Sequence, residues 1–246
     1  MIPLVLDDAA VFPPGNLPLA EAVVAHRRHR ESWYADLVGP LVVPAAALAA
    51  LAGSGPLDVA VVVPDAEGAA AALDAAPDGI RIVGLEVTDA SVAGLRAAIG
   101  EPAGVTVHVE IPRDDRRDAV IADLAGTSYL AKLRTGGVRA DLYPDEAELA
   151  ATVQALVAAG VPFKATAGLH HALRNTDPDT GFEQHGFLNL LAATDARDAE
   201  AMAAVLAERA AAPDVPSTSL LRSIGTCSIT EPIDELTALG LLELAR

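Results

Sequence analysis

Residues 80–111 read IRIVGLEVTDASVAGLRAAIGEPAGVTVHVEI, with two β-branched apolar runs on either side of a stretch rich in alanine and leucine. The runs at 80–87 and 105–111 predict strands, and residues 91–99 between them have helical spacing. A strand, a helix and a second strand in this order form a βαβ unit, in which the two strands are parallel.

The same alternation continues along the whole chain. The predicted strands are 4–6, 41–43, 59–63, 80–87, 105–111, 129–134, 162–166 and 220–225. The predicted helices are 19–38, 45–51, 67–75, 91–99, 114–124, 145–159, 186–193 and 198–211, and Gly160 is expected to cap the helix before it. Eight such units in about 250 residues predict a single (β/α)8 TIM barrel of the α/β class. The alternative is a doubly wound open sheet, although no GxGxxG segment follows the first strand.

The domain organisation follows from the absence of a linker in the sequence. No low-complexity segment or shift in composition divides the chain, so residues 1–246 are predicted to form one barrel. The interval between the last two predicted strands is longer than one helix requires. We therefore predict that an inserted segment around 170–217 contains a lid over the pocket.

The charge and the apolar runs of the chain restrict its partners. The sequence has 34 acidic and 17 basic residues, a net charge of −17, which argues against a nucleic-acid partner. A single cysteine, Cys227, cannot form an internal disulfide bond, and the N-terminus lacks the basic residue of a signal peptide. The longest apolar run, 41–52, is too short for a membrane span. We expect a cytoplasmic protein with no membrane partner, and a homo-oligomer is possible.

The scarcity of lysine indicates where the chemistry lies. The chain has two lysines, Lys132 and Lys164, beside fifteen arginines. A lysine amine can lose its proton and act as a base or a nucleophile, which a guanidinium cannot. Both lysines lie near the ends of predicted strands, in YLAKLRTGG and VPFKATAG, and that end of a parallel barrel carries the active site. Two lysines in ordinary ion pairs are the structural alternative.

Strand periodicity predicts which side chains meet. With a period of two, Lys132 and Arg134 share one strand face, while Glu86 and Glu110 lie on the polar faces of their own strands. Helices cover the apolar faces, so the polar faces point into the barrel together with Lys164. The cluster is predicted to be catalytic, or else a structural network of ion pairs.

The order of three motifs resembles one enzyme family. The segments AKLRTGG, PFKATAG and RSIGTCS are similar to the last three strands of deoxyribose-phosphate aldolases, class I aldolases with a KTSTG strand, a KASGG strand and a GTS-type loop. The two lysines are 32 residues apart, which one βα unit would produce. The RTGG and FKATAGLHH segments also resemble a family of bacterial barrel proteins, and that likeness implies no reaction.

The aldolase resemblance implies roles for both lysines and requires no cofactor or metal. Lys132 matches the lysine that forms a Schiff base with a carbonyl substrate, and Lys164 matches the second lysine, whose charge lowers the pKa of the first. Glu86 and Glu110 are candidates for the acidic relay by strand position only. Asp7 or Asp8 could take the part of the family's aspartate near the first strand, and a loop or capping role is equally open.

Substrate-binding candidates surround these positions, and several depart from the family pattern. They are Arg134, Gly136, Gly137, His170, His171, Gly225, Thr226 and Ser228. The last three suit an anion-binding loop of backbone N–H groups. Ala167 stands where the family has the first of two phosphate-binding glycines, which puts a phosphorylated sugar in doubt. Cys227 is interpreted as a small buried residue rather than a nucleophile. His170 or His171 is an acid/base group or a substrate contact, and an ordinary hydrogen-bonding role is equally open.

Three functions remain open from the sequence. The first is a Schiff-base lyase, similar to an aldolase, acting on a small carbonyl compound, either neutral or anionic. The second is another barrel enzyme, such as a phosphoribosyl transferase or an isomerase, in which the lysines bind phosphate. The third is a non-catalytic barrel that binds a metabolite or a protein. The fold alone does not choose between them.

Overall fold

Eight parallel strands close into a barrel in the computed structural model, which describes residues 3–242. The barrel strands are β1 (Val5–Asp8), β2 (Val38–Pro44), β3 (Leu57–Val63), β4 (Ile80–Val87), β5 (Thr106–Glu110), β6 (Leu130–Arg134), β7 (Phe163–Thr166) and β10 (Leu221–Thr226). Each strand pairs with the next along the chain, and β10 pairs with both β7 and β1. The predicted (β/α)8 barrel is confirmed, and the open sheet is excluded.

The helices surround this barrel. They are α1 (Leu19–Arg30), α2 (Ala66–Asp74), α3 (Val92–Ile99), α4 (Arg117–Leu124), α5 (Glu146–Ala159), α6 (Phe187–Ala193), α7 (Ala199–Ala207) and α8 (Thr230–Ala238). Four of these helices have an N-cap residue whose side-chain oxygen accepts a hydrogen bond from a backbone N–H of the first turn. These residues are Asp65, Ser91, Asp145 and Asp198. Gly160 ends α5 in the left-handed conformation, as its position predicts. No helix within residues 3–242 is long and apolar enough to cross a membrane.

Several predicted helix bounds are wrong, and α8 was not predicted. The predicted helix 19–38 ends at Arg30, and Val38 instead opens β2, where it pairs with Leu6 of the barrel. Residues 45–51 form a 3₁₀ helix, and α7 ends at Ala207 rather than at residue 211. Val38 illustrates the cause, because a β-branched residue inside a closing sheet gains ladder hydrogen bonds that a local helical pattern does not reveal.

Alternation along the strands separates an apolar layer from a polar barrel interior. On β4 and β5, Leu85, Val107 and Val109 are buried in the hydrophobic core. Glu86, between such positions, contacts Lys164 of β7, a strand that is not its neighbour in the sheet. Two strands on different sides of a closed barrel can contact each other only through its interior. The polar faces therefore point inward, as the period of two predicts.

The inserted segment divides into a short ribbon and two helices. The antiparallel strands β8 (Asn175–Thr176) and β9 (Glu183–Gln184) form the ribbon. Its Phe182 ring lies 5.6 Å from that of Tyr143, and a nitrogen of His185 lies 2.8 Å from the carbonyl oxygen of Pro144. Tyr143 and Pro144 follow β6, so the ribbon lies at the carboxyl end of the barrel. The α7 helix packs against α5 and α6. The part of 170–217 near the ribbon lies at the end of the barrel where a lid would cover the pocket, and its action as a lid stays a prediction.

We predict that Gly39→Ala destabilises the barrel. A Cβ atom at Gly39 of β2 would lie 2.1 Å from Oδ1 of Asp7 and 2.9 Å from Cγ1 of Val5, so strands or side chains must shift. Overpacking of this kind costs about 1–3 kcal/mol. The measurement is the free energy of unfolding in urea. Val24→Ala, on the exposed face of α1, is the control, and a Gly39→Ala protein as stable as this control would contradict the packing.

Candidate active site

Lys164 lies fully inside the barrel between two carboxylates. Its Nζ atom is 2.6 Å from Oδ2 of Asp7 on β1 and 2.5 Å from Oε1 of Glu86 on β4. Burial alone would lower the pKa of Lys164, but the attraction of Asp7 and Glu86 outweighs it and holds that pKa well above its usual range. Lys164 is therefore an ammonium group at neutral pH, and its charge is balanced on both sides.

Lys132 lies beside Lys164, and unlike Lys164 it lines the pocket. The two residues are register partners on β6 and β7. Nζ of Lys132 is 3.0 Å from Oε2 of Glu86 and 3.2 Å from Oε2 of Glu110. The two lysine amines thus bind the two oxygens of one carboxylate, which places them within the distance of about 10 Å over which charges couple at ordinary salt.

The cluster holds three cations and three carboxylates. Arg134 joins it through Glu110, with its Nε atom 3.4 Å from Oε1 of that residue. Burial would raise the pKa of Glu86, but Lys164 and Lys132 outweigh burial and lower it well below its usual range. At Asp7 burial prevails and raises the pKa, although Lys164 and the hydroxyl of Ser223 oppose this. Equal numbers of opposite charges explain how so many ionic groups fit inside one barrel.

His108 of β5 completes the interior polar layer. Burial, reinforced by the charge of Lys164, lowers the pKa of His108 to about 3, so the imidazole is neutral at physiological pH. Its Nδ1 atom is buried and has no hydrogen-bond partner among residues 3–242. His108 therefore adds no charge to the balance of the cluster.

A pocket of about 270 Å³ opens above this cluster at the carboxyl ends of the strands. Its charged wall consists of Glu86, Lys132 and Arg134. The other lining residues are Ala9, Phe12, Pro13, Val42, Val62, Gly137, Val138, Leu142, Thr166, Ala167, His170, Gly225 and Cys227. Lys164 lies below the pocket and does not line it, so the two lysines differ in access to a ligand.

The loop after β7 has a strained backbone at the pocket wall. Ala167 has a φ of 69°, a left-handed conformation that an alanine rarely adopts. The hydroxyl of Thr135 donates to the carbonyl oxygens of Thr166 and Ala167, at 3.2 and 2.7 Å, and holds the turn in place. Strain of this kind is typical of functional sites, where surrounding contacts maintain it.

His170 and Cys227 form a second polar pair at the pocket wall. Sγ of Cys227 is 3.6 Å from Nδ1 of His170, which is 3.7 Å from Oε2 of Glu231 on α8. Burial lowers the pKa of His170 despite Glu231, and burial raises the pKa of the Cys227 thiol. At neutral pH the pair is a neutral imidazole beside a thiol. Cys227 is half-buried and faces the pocket, so its interpretation as a buried packing residue is wrong.

The predicted substrate-binding residues fall into two groups. Arg134, Gly137, His170 and Gly225 line the pocket, whereas Gly136, His171, Thr226 and Ser228 do not.

The second group has contacts of its own. Nδ1 of His171 is 2.6 Å from Glu235 of α8, and the hydroxyl of Thr226 donates to the carbonyl oxygen of Ser228. At Gly136 a Cβ atom would lie 2.6 Å from the ring of Tyr143, so glycine is required there for close packing. Anion binding by the Gly225 loop stays a prediction.

Other site residues were missed or left undecided by the sequence. The sequence does not distinguish Asp7 from Asp8. Only Asp7 enters the cluster, because Asp8 lies 3.0 Å from His26 of α1 and accepts a hydrogen bond from the backbone N–H of Ala10. Ser223, which donates to Asp7 at 2.7 Å, was missed, although it alternates with Gly225 on one face of β10. The apolar pocket wall was missed as well, since a valine gives no sequence signal for a site.

Comparison with known proteins does not assign this chain to a family. No protein-family model and no curated protein matches it. Within residues 3–242 no three His, Cys, Asp or Glu side chains are arranged to hold a metal ion. The likeness to class I aldolases therefore rests on the three motifs and on the shared position of the two lysines.

We predict that Lys164→Met destabilises the protein by about 3–5 kcal/mol, because it leaves Asp7 without its cation and Glu86 with only one. Removing one carboxylate together with the lysine restores the charge balance. The double variant Lys164→Met/Asp7→Asn should therefore unfold at a higher urea concentration than Lys164→Met. Additive losses from Lys164→Met and Asp7→Asn would contradict the coupling.

Proposed function

We propose that the protein is a Schiff-base-forming lyase, similar to a class I aldolase, in which Lys132 attacks a small carbonyl compound. The observation that carries the proposal is the position of Lys132, whose amine is buried, lines the pocket and lies against two carboxylates. Burial and a neighbouring cation activate a lysine for covalent attack on carbonyl groups, and Lys164 is that cation here, because both lysines contact Glu86.

The amine of Lys132 must lose a proton before it can attack. The nearest acceptors are the carboxylates of Glu86 and Glu110. Glu86 keeps Lys164 as a partner and has a pKa far below its usual range, so it is a poor acceptor. We assign the proton to Glu110. Its transfer converts a buried ion pair into a neutral amine and a neutral acid and leaves the net charge of the cluster unchanged.

The proposed steps balance as follows. The nitrogen of Lys132 adds to the carbonyl carbon, and the oxygen leaves as water with two protons, one from that nitrogen and one from protonated Glu110, which gives a protonated imine. In a substrate with a hydroxyl group on the carbon β to the imine carbon, that hydroxyl loses its proton to His170 and becomes the carbonyl group of the first product. The bond between the α and β carbons breaks, and its electron pair forms the enamine with the α carbon. Protonation of the enamine carbon and hydrolysis of the imine return the free lysine and the second carbonyl product.

His170 is the proposed acid/base group for the proton transfers of these steps. It lines the same pocket as Lys132, and its lowered pKa keeps it neutral and able to accept a proton at pH 7. The adjacent His171 has a different contact, because its Nδ1 atom lies within hydrogen-bond distance of Glu235 on α8.

The alternative function, in which both lysines bind phosphate as point charges, has less support. Lys164 does not line the pocket, and its ammonium group already contacts Asp7 and Glu86. Among residues 3–242, only Lys132 and Arg134 remain as lining cations, and each contacts Glu110. Since a carboxylate already pairs with both groups, little uncompensated positive charge is left for a phosphate group.

We predict that borohydride traps a carbonyl compound on Lys132. Reduction of the imine should add a fixed mass to the peptide that contains Lys132, and mass spectrometry measures it. Lys132→Arg should abolish the adduct because a guanidinium does not lose its proton.

Lys132→Met keeps the apolar stem without the amine and is the control for a conformational effect of arginine. Turnover of a substrate that survives both substitutions, with no adduct from a panel of aldehydes, ketones and sugar phosphates, would refute the Schiff-base function.

We predict that His170→Gln slows hydrogen exchange with deuterated solvent by about 100-fold. The hydrogen that exchanges is the one on the carbon next to the imine carbon, which is lost when the enamine forms. In the wild-type protein the neutral imidazole is the active form, and its pKa lies below the ordinary value of 6.5. The exchange rate should therefore stay high as the pH falls to 6.5 and decrease below it. The variant should lack this decrease. An unchanged pH profile, measured by NMR, would assign the proton transfer to another group.

A further inference from the structure

The pocket has an apolar side that a sugar phosphate would not use. The loop after β1 contributes Phe12 and Pro13, and the ends of β2 and β3 contribute Val42 and Val62. Val62 pairs in register with Glu86, so the apolar wall begins directly beside the charged wall. Polyhydroxylated compounds would lose hydrogen bonds to water at these residues and gain none.

The side of the pocket nearest α8 offers a phosphate no cationic side chain. Glu231 in the first turn of α8 lies 3.7 Å from His170, and Cys227, whose thiol pKa is raised by burial, lies 3.6 Å from the same histidine. The hydroxyl of Thr226 is taken up by the carbonyl oxygen of Ser228. Of the lining residues on this side of the pocket within 3–242, His170, Gly225 and Cys227, none carries a positive charge at neutral pH, so a dianion would gain no ion pair there.

The guanidinium group of Arg134 can bind one singly charged anionic group of a ligand. Its guanidinium contacts Glu110 through Nε, and its two Nη groups make no hydrogen bond within residues 3–242. When Glu110 accepts the proton of Lys132, Arg134 loses its anionic partner. A substrate carboxylate can then take that place with the paired geometry that guanidinium groups favour.

The volume of the pocket limits the size of the ligand. An apolar cavity of about 150 Å³ holds benzene. The 270 Å³ here therefore accommodate a ring or a branched chain of similar size, together with a carbonyl group and a carboxylate.

We propose that the compound which forms the imine is a small 2-oxo acid with an apolar side chain, aryl or branched alkyl, and not a sugar phosphate. This acid is released by the C–C cleavage and is the donor in the reverse condensation. The carbonyl carbon meets Lys132, the carboxylate meets Arg134, and the side chain packs on Phe12, Val42 and Val62. This inference rests on the proposed Schiff-base function, because the carbonyl group is placed at the amine of Lys132.

Four carbonyl probes separate the contributions of the ring and of the carboxylate, and they include a sugar phosphate. Phenylpyruvate has the ring and the carboxylate, pyruvate lacks the ring, phenylacetaldehyde lacks the carboxylate, and glyceraldehyde 3-phosphate carries phosphate. With borohydride present, phenylpyruvate should label Lys132 at a half-saturating concentration at least about 10-fold below those of pyruvate and phenylacetaldehyde. Glyceraldehyde 3-phosphate should show no saturation.

Variants locate the two contacts. Val62→Thr keeps the shape of the wall but adds a hydroxyl group, so it should reduce the advantage of phenylpyruvate over pyruvate. Arg134→Leu should reduce its advantage over phenylacetaldehyde. Val24→Thr, on the exposed face of α1, should leave both ratios unchanged.

A ligand without a carbonyl group distinguishes failure of recognition from failure of the chemistry. 3-Phenyllactate cannot form an imine, and calorimetry should show that it binds at least about 10-fold more tightly than lactate. Selective binding of 3-phenyllactate without any reducible adduct would support the recognition and refute the Schiff-base function. Adducts on Lys132 that form as readily with pyruvate or glyceraldehyde 3-phosphate would support the function and overturn this inference. Absence of binding by 3-phenyllactate would overturn it as well.

Discussion

The carboxylate of Glu86 is the group on which the site depends. Its two oxygens bind two different lysines, Lys164 at 2.5 Å and Lys132 at 3.0 Å, in the interior of the barrel. A buried charge is tolerated only with partners, and each member of this set has at least one. Because both lysines share one anion, a change of charge at Lys132 alters the balance at Lys164, although only Lys132 meets the pocket.

This arrangement gives the two lysines different roles. Lys164 is held between Asp7 and Glu86 and fixes the position and ionisation of Glu86. Lys132 contacts Glu110, which in turn contacts Arg134 at the pocket wall. The contacts therefore run from β1 through β7 and β4 to β6 and β5, and they lead from a closed, fully paired interior to a wall that a ligand can reach.

The sequence predicts the barrel well because its strands repeat one simple signal. Apolar runs separated by helical stretches identify all eight strands, and the period of two brings Glu86, Glu110, Lys132 and Lys164 to one interior face. Contacts between residues that are distant in the sequence cannot be predicted from these local patterns. Val38 belongs to β2 because it pairs with Leu6, and Asp7 rather than Asp8 enters the cluster because His26 of α1 binds the latter. The apolar pocket wall is equally hidden, since Val42 and Val62 read as ordinary strand residues.

The pairing of β1 with β10 has a consequence for the order of folding. Asp7 and Lys164 are separated by 157 residues, and Ser223, which also binds Asp7, lies near the end of the chain. Contacts between such distant residues form late, because loop closure must come first. Asp7 therefore gains its cation only when β1 joins the barrel, whereas Glu86 and Glu110 have partners on β6 and β7. A partly folded barrel without β1 in place leaves Asp7 uncompensated, which disfavours a collapsed but open state and makes closure cooperative. Once closed, the ion cluster acts mainly by slowing unfolding.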